Sequence, residues 1–381
     1  MQVKIIIIGT VSSSIFGFRY HLLKELKDRG CKVIFYLSDV DEELVQRAKD
    51  ELAVECRTYP LSRSSTNPLH DLQTLKFLYK EFQKEQPDAV FSFFSKPVIW
   101  GTLAAWLAKV PRRIAMLEGL GYSFTNQPTG FSKKQKLIQF VQVFLYRIAL
   151  PRTTNLIFLN PDDPKDLLEK HSIKAQKLSL LGGIGVDLER FSAYENLNMP
   201  EGALRFLFIG RLLAEKGINE YVEAAALVKN KYPNATFTVL GKIDKENPGG
   251  LKPKELEVLK SKGVIEYPGH VSNVDEWLRQ HDVYVLPSSY REGVPASTQE
   301  AMACGKAIIT TNVPGCRETV VEGLNGLFVP PWDAQKLADK MVWMIENPKR
   351  VQEMGIESRK LAEERFDAVK QSNQLADWIL M

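Results

Sequence analysis

Short apolar runs recur along this chain, and longer stretches with helical spacing of their apolar residues lie between many of them. Residues 3–8, 33–37, 89–93, 114–117 and 155–159 read as strands, and 18–28, 42–52 and 69–83 as helices. Alternation of this kind predicts a parallel sheet with helices on both faces. The pattern begins again at Leu204, with strands at 206–209, 236–240, 264–267, 283–286, 307–310 and 326–329 and a helix at 218–232. The expected fold class is therefore α/β, with two Rossmann-like domains at 1–185 and 186–360. The boundary falls near Gly182-Gly-Ile-Gly185 to Pro200, and 361–381 reads as a C-terminal helix crossing back to the first domain.

A chain of 381 residues can bury two ordinary cores, and 44% hydrophobic with 25% charged residues is ordinary for a soluble globular protein. Its longest apolar runs, such as Ile5-Ile-Ile-Ile8, are strand length, well short of the roughly 20 residues of a spanning helix. No cationic, apolar and small-residue leader opens the sequence, so no secretory signal is expected. Cys31, Cys56, Cys304 and Cys316 are scattered, which points to a reducing compartment and to neither disulfides nor zinc. Charge is unevenly spread. Residues 1–185 carry 26 Lys and Arg against 18 Asp and Glu, whereas the remainder carries 24 against 28. Within 101–150, Glu118 is the one acid among seven basic side chains. A basic first half points to an anionic partner: a membrane surface, a pyrophosphate or nucleic acid.

The chemistry concentrates between residues 283 and 305. A strand at 283–286 stops at Pro287, and a helix at 296–303 stops at Gly305. Glu292 falls on the loop between them and Glu300 in the helix, eight positions later. In an open α/β sheet, ligands bind at the carboxyl ends of the strands, and a helix start offers unpaired N–H groups to phosphate. Two carboxylates beside such a helix suit a ligand with a sugar, a phosphate and a second sugar. The loop from Gly210 to Gly217 follows another strand and carries Arg211 and Lys216. The loop Gly9-Thr-Val-Ser-Ser-Ser-Ile-Phe-Gly17 follows the first strand, where glycines let a phosphate approach the backbone. It is not a G-x-G-x-x-G fingerprint, which disfavours a dinucleotide.

Three ordered motifs carry a family resemblance: Gly210-Arg-Leu-Leu-Ala-Glu-Lys-Gly217, Glu292-Gly-Val-Pro with Glu300-Ala-Met-Ala-Cys-Gly305, and Gly323-Leu-Asn-Gly326. They resemble the retaining glycosyltransferases of family four, and the likeness covers nearly the whole chain. It implies the GT-B architecture, two Rossmann-like domains with parallel sheets facing a central cleft, and hexosyltransferase activity. Ser62-Arg-Ser-Ser-Thr-Asn-Pro68 and Leu117-Glu-Gly-Leu-Gly-Tyr-Ser-Phe124 are similar to enzymes adding α-1,3-N-acetylgalactosamine to an undecaprenyl-diphosphate-linked amino sugar. The partners so implied are a UDP-sugar donor and a polyprenyl-diphosphate-linked sugar acceptor.

By that resemblance Gly210, Arg211 and Lys216 contact the donor's diphosphate, and Glu300 accepts hydrogen bonds from the ribose hydroxyls. Glu292 holds the transferred sugar with help from the backbone of Gly293, Val294 and Pro295, and Gly9 lies toward a phosphate. Fixed cations beside a leaving nucleotide favour the transition state, where negative charge accumulates. Retention by front-face substitution needs no protein base, and the sequence nominates no nucleophile for a double displacement. Glu118, with Gly119 and Gly17, reads either as an acceptor contact or as a turn-stabilising acid. Many relatives carry a histidine in this region, and here the region has none. A nucleotide-sugar epimerase, a non-catalytic nucleotide-sugar binder and a transferase of another UDP-sugar stand as alternatives.

Asp39-Val-Asp41 matches a metal-binding D-x-D only formally, because the acids that follow it suit a helix N-terminus. No cofactor or metal is expected. The stretch 131–147 joins Lys133, Lys134 and Lys136 to an amphipathic helix. Its apolar face is expected in the core and its basic end at anionic head groups. Nucleic acid is disfavoured, since no recognised module accompanies the charge. The expected location is cytoplasmic, peripheral on the inner face of the cytoplasmic membrane.

Overall fold

The computed structural model describes residues 2–61, 68–193, 203–244, 247 and 249–381. The acceptor-type segment at 62–68 thus lies, but for Pro68, outside the described residues. Internal contacts divide the chain into two compact units. One comprises Met1–Leu120, Lys134–Gly185 and Ala368–Met381; the other comprises Gly121–Lys133 and Val186–Asp367.

The first unit is built on β1 (Lys4–Ile8), β2 (Lys32–Leu37), β3 (Glu55–Thr58), β4 (Ala89–Phe93), β5 (Arg112–Leu117), β6 (Asn155–Phe158) and β7 (Leu178–Leu180). All pairings are parallel, in the order β3-β2-β1-β4-β5-β6-β7. Ile5, Ile6, Ile7 and Ile8 are all fully buried, as a central parallel strand covered on both faces demands. Ile6, Ile8, Tyr36 and Val90 pack with Leu78, Phe82 and Ala104 in one core cluster. The helix Ala368–Leu380 packs on Tyr20–Asp28, where Arg29 Nη1 lies 2.5 Å from Asp377 Oδ1. The strands β3 and β7 go beyond the sequence reading. Both are short edge strands, and neither is an apolar run: Glu55-Cys-Arg-Thr58 is half-exposed, and Leu178 and Leu180 face solvent.

The second unit repeats the design with β8 (Arg205–Ile209), β9 (Thr236–Leu240), β10 (Glu266–Gly269), β11 (Val283–Leu286), β12 (Ala307–Thr311) and β13 (Gly326–Val329). Its order is β10-β9-β8-β11-β12-β13, again parallel throughout. The order reverses between β8 and β11, so the loops leaving these two strands flank the sheet's switch point.

Two boundaries differ from the sequence reading. Gly121–Lys133 groups with the second unit rather than the first. The expected single helix from 361 is two helices, Pro348–Arg365 and Ala368–Leu380. They part because Val186 N–H bonds the Phe366 carbonyl at 2.7 Å and Val186 bridges to Asp367, drawing that backbone out of the helix.

Both acids of the D-x-D match serve backbone amides. Asp41 caps Glu42–Leu52, its Oδ1 accepting from Glu43 N at 3.1 Å and Leu44 N at 3.2 Å, and Asp39 Oδ1 accepts from Ser12 N at 2.7 Å. Asp41→Ala is expected to lower unfolding free energy by about 1 kcal/mol in urea denaturation.

Candidate active site

In the second unit, β8 ends at Ile209 and the chain turns through Gly210–Gly217 before the helix Ile218–Lys231. Gly217 sits at φ 79°, and a Cβ there would run into the Pro287 carbonyl. Glycine thus lets this loop pass directly beneath the one that leaves β11. The two loops are joined at Glu215, whose backbone carbonyl accepts from Ser289 N at 2.7 Å and Tyr290 N at 3.0 Å. One residue on, Lys216 Nζ lies 3.0 Å from Glu292 Oε1, both side chains nearly buried. Arg211 Nη1 donates to Asp244 Oδ2 at 2.8 Å, and its guanidinium lies 5.7 Å from the Tyr290 ring centroid. Arg211, Lys216 and Glu292, separated by up to 81 positions, therefore meet at the switch point of one sheet.

Gly293, Val294 and Pro295 are buried and lead into the helix Ala296–Ala303. That helix start is fixed from below: Tyr284 Oη donates to Ser297 Oγ at 2.7 Å, and Ser297 Oγ donates to the Ile209 carbonyl at 3.3 Å. Gly315, at φ 84°, sits against the Glu292 carbonyl at a place where a Cβ would lie 2.5 Å from that oxygen. Gly315, Tyr290, Asp244 and Glu215 were not singled out in sequence. A Pro-Gly pair after a strand was the one available signal for Gly315, and the others have none.

Glu300 lies on the same helix and faces Arg190 and Asp275. Among the described residues no ion pair or side-chain hydrogen bond reaches its carboxylate. Burial pushes its pKa up to about 7, partly offset by Arg190.

The candidate residues of the first unit form a separate group. Glu118 follows β5 and pairs with Arg19, which is 2% exposed. The Arg19 guanidinium lies 4.2 Å from the Phe93 ring centroid and 4.8 Å from that of Phe18, and burial lowers its pKa to about 9. Arg19 is a functional candidate that sequence reading missed. Its signal was an arginine in register with Leu22, Leu23 and Leu26, at a core position of the helix. Gly119 takes φ 97°. Gly17 is exposed and a Cβ there would touch nothing.

Gly9 corrects the phosphate reading. Its N–H donates to the Tyr36 carbonyl at 3.0 Å and its own carbonyl accepts from Tyr59 Oη at 2.6 Å. A Cβ would lie 2.6 Å from Phe93 Cζ, so glycine is required there by packing. The helix Lys133–Ala149 corrects a second expectation. Its buried face is Gln135, Val143, Tyr146 and Ala149, while Leu137, Phe140, Val141 and Phe144 are exposed. Lys133, Lys134 and Lys136 are exposed at its start. No helix among the described residues is long and apolar enough to cross a membrane.

The family models agree with this geometry. That for glycosyl transferases group 1 matches residues 190–361, and that for glycosyl transferase 4-like proteins matches residues 4–160. The N,N'-diacetylbacillosaminyl-diphospho-undecaprenol alpha-1,3-N-acetylgalactosaminyltransferase of Campylobacter jejuni is 33% identical over 348 residues, 88% of each chain. The chain belongs to the glycosyltransferase group 1 family. An Escherichia coli UDP-Gal:alpha-D-GlcNAc-diphosphoundecaprenol alpha-1,3-galactosyltransferase is 27% identical, covering 81% of this chain and 79% of its own. Two solved structures share the GT-B fold of this glycosyltransferase. Anabaena HepE in complex with UDP and glucose has a TM-score of 0.76 at 17% identity over 99% of each chain. Sucrose-phosphate synthase from Thermosynechococcus elongatus has a TM-score of 0.77 at 19% identity, covering 99% of this chain and 98% of its own.

The raised Glu300 pKa gives this glycosyltransferase a pH signature. The folded value lies above the ordinary carboxylate value, so the native protein keeps this proton up to about pH 7, and stability falls as pH rises through that window. Hydroxyl donors stabilise the ionised form. A ligand supplying them at Glu300 is therefore expected to release about half a proton or more per molecule bound at pH 6.5. Calorimetry in buffers of different ionisation enthalpy reads this release, and Glu300→Gln should abolish the difference.

Proposed function

We propose that this glycosyltransferase transfers an N-acetylhexosamine, N-acetylgalactosamine from its UDP donor, in α-1,3 linkage to a sugar on a polyprenyl diphosphate. The setting is assembly of a surface glycan or a glycoprotein oligosaccharide. The observation that carries the reading is the meeting of Arg211, Lys216 and Glu292 at the switch point of the second sheet. The Campylobacter and Escherichia relatives, both named for diphosphoundecaprenol-linked acceptors, support the acceptor class.

In this reading the donor diphosphate lies against Arg211 and Lys216. The bond from the sugar's anomeric carbon to the phosphate oxygen breaks, and its electron pair stays with UDP. The two cations favour that accumulating charge over the ground state. The acceptor oxygen bonds to the same face of the anomeric carbon, and its proton passes to the departing phosphate oxygen. Configuration is retained with no protein base. Glu292 orients the transferred sugar through its hydroxyls, and Glu300 reads the ribose. Glu118, charge-paired with Arg19, orients acceptor hydroxyls and does not take the proton. Arg211 and Lys216 provide the positive charge, so no metal ion takes part.

The exposed stripe on Lys133–Ala149 extends the proposal to a lipid surface. Leu137, Phe140, Val141 and Phe144 follow the i, i+3, i+4, i+7 spacing of one helix face, with three exposed lysines at the helix start. Apolar insertion flanked by cations is how an interfacial helix holds an anionic leaflet. The enzyme accordingly works peripherally, on the inner face of the cytoplasmic membrane.

Release of UDP from a panel of UDP-sugars, with and without a polyprenyl-diphosphate-linked amino sugar, tests the reaction. Release from UDP-N-acetylgalactosamine that requires the lipid acceptor and is unchanged by EDTA is expected. Release indifferent to the lipid would favour a different acceptor, and another donor winning would change the sugar assignment. For the surface, co-sedimentation with phosphatidylglycerol vesicles should fall about tenfold or more when Phe140 and Phe144 are both replaced by Ser. Equal binding by that double variant would remove the stripe from the proposal.

A further inference from the structure

The Glu292 turn is held in part by Thr125 and Gln127, two residues that the sequence motifs leave out. Thr125 is fully buried, and its Oγ1 accepts from Arg291 N at 3.0 Å while donating to the Gly121 carbonyl at 3.0 Å. Gly121 N in turn donates to the Arg291 carbonyl at 3.1 Å. Both backbone polar groups of Arg291, the residue preceding Glu292, are thus bonded by residues 121–125. Gly121 has φ 74°, and a Cβ there would lie 3.2 Å from Tyr290 Oη, so the close approach depends on glycine. The other side of the turn is held by Glu215, whose backbone carbonyl receives Ser289 N and Tyr290 N. Gln127 Nε2 ties these two supports together by donating to Glu215 Oε1 at 2.9 Å.

We propose that Thr125 and Gln127 are positioning residues that hold the Arg291–Glu292 backbone so that the Glu292 carboxylate meets the transferred sugar. They act on the turn and do not touch substrate. Thr125 is suited to this because one hydroxyl both accepts and donates, closing a loop of three hydrogen bonds around Gly121 and Arg291. Valine has nearly the same shape and can do neither. It would leave the Arg291 N–H buried without this acceptor, and the turn would relax around it. A shift of this kind at a group that must be aligned in the transition state lowers turnover more than ligand affinity.

The inference rests on the sugar-contact reading of Glu292, and the experiment separates the two. Thr125→Val, Thr125→Ser, Gln127→Leu and Glu292→Gln are made singly, and Thr125→Val and Gln127→Leu are each also combined with Glu292→Gln. For each, kcat and KM of transfer are measured beside UDP affinity and the thermal midpoint. Thr125→Val is expected to lower kcat by about 10-fold to 10²-fold with UDP affinity within about twofold, and Thr125→Ser to recover most of the loss. Gln127→Leu should give a smaller loss of the same kind. Neither should lower kcat further in the Glu292→Gln background, because each acts through that carboxylate. Wild-type kcat in Thr125→Val, or losses that multiply with Glu292→Gln, would overturn the positioning role. Should Thr125→Val not fold, Gln127→Leu decides, and wild-type kcat there overturns the proposal equally. If Glu292→Gln itself turns over normally, the sugar-contact reading fails first and the inference falls with it.

Discussion

A lysine and a glutamate, both nearly buried, hold each other at 3.0 Å where the strand order of the second sheet reverses. The features around them serve to make that contact possible. Gly217 lets the Lys216 loop pass under Pro287, the Glu215 carbonyl fastens the two loops together, and Gly315 leaves room for the Glu292 carbonyl. Desolvating a lone charge here would be costly, so each ion is tolerable because the other is present. The same pairing suits a site that handles charge. In the proposed reading, phosphate at the lysine leaves the carboxylate to hydrogen-bond sugar hydroxyls, and both groups change partner within the two loops.

Much of this was legible in the sequence. Strands covered on both faces show themselves as unbroken apolar runs, so Ile5–Ile8 and Val283–Leu286 stood out, and their repetition fixed the two-domain α/β class. The edge strands Glu55–Thr58 and Leu178–Leu180 did not stand out, because one side of an edge strand meets solvent and its sequence keeps the polar character of a loop. The Glu292 and Glu300 pair was readable because a strand, a turn and a helix bracket it within a short span. The partners that hold Glu292 were not. Thr125 and Gln127 lie more than 160 positions away, and an isolated Thr or Gln carries no periodic signal.

Two corrections and one unforeseen partner share one cause, which is that a residue type says what it can do but not which neighbour takes it. Gly9 follows a strand as a phosphate-loop glycine would, yet Phe93 and Phe35 demand its lack of a side chain and the protein uses both its backbone groups. The helix Lys133–Ala149 has more apolar residues than one buried face can hold, and the structure buries Val143, Tyr146 and Ala149 and leaves Phe140 and Phe144 outside. Glu118, the one acid of a basic stretch, is taken by Arg19. That arginine is enclosed by Phe93 and Phe18, and burial lowers its pKa to about 9.

The two carboxylates of the Glu-x7-Glu motif end in different surroundings, and the difference follows from where the chain puts them. Glu292 lies on the loop, its Oε1 3.0 Å from Lys216 Nζ. Glu300 lies inside the helix, half-buried, with Arg190 only partly offsetting the loss of water, and its pKa rises to about 7. A carboxyl in that condition is incomplete by design of its surroundings: it gains most from a ligand that brings hydroxyl donors and little from one that brings phosphate. In the proposed reading a ribose meets that need, and a diphosphate lies against Arg211 and Lys216. One sheet edge thus carries two cations on one loop and a carboxyl poor in partners on the next helix, and that order is why a nucleoside diphosphate sugar is the ligand class proposed.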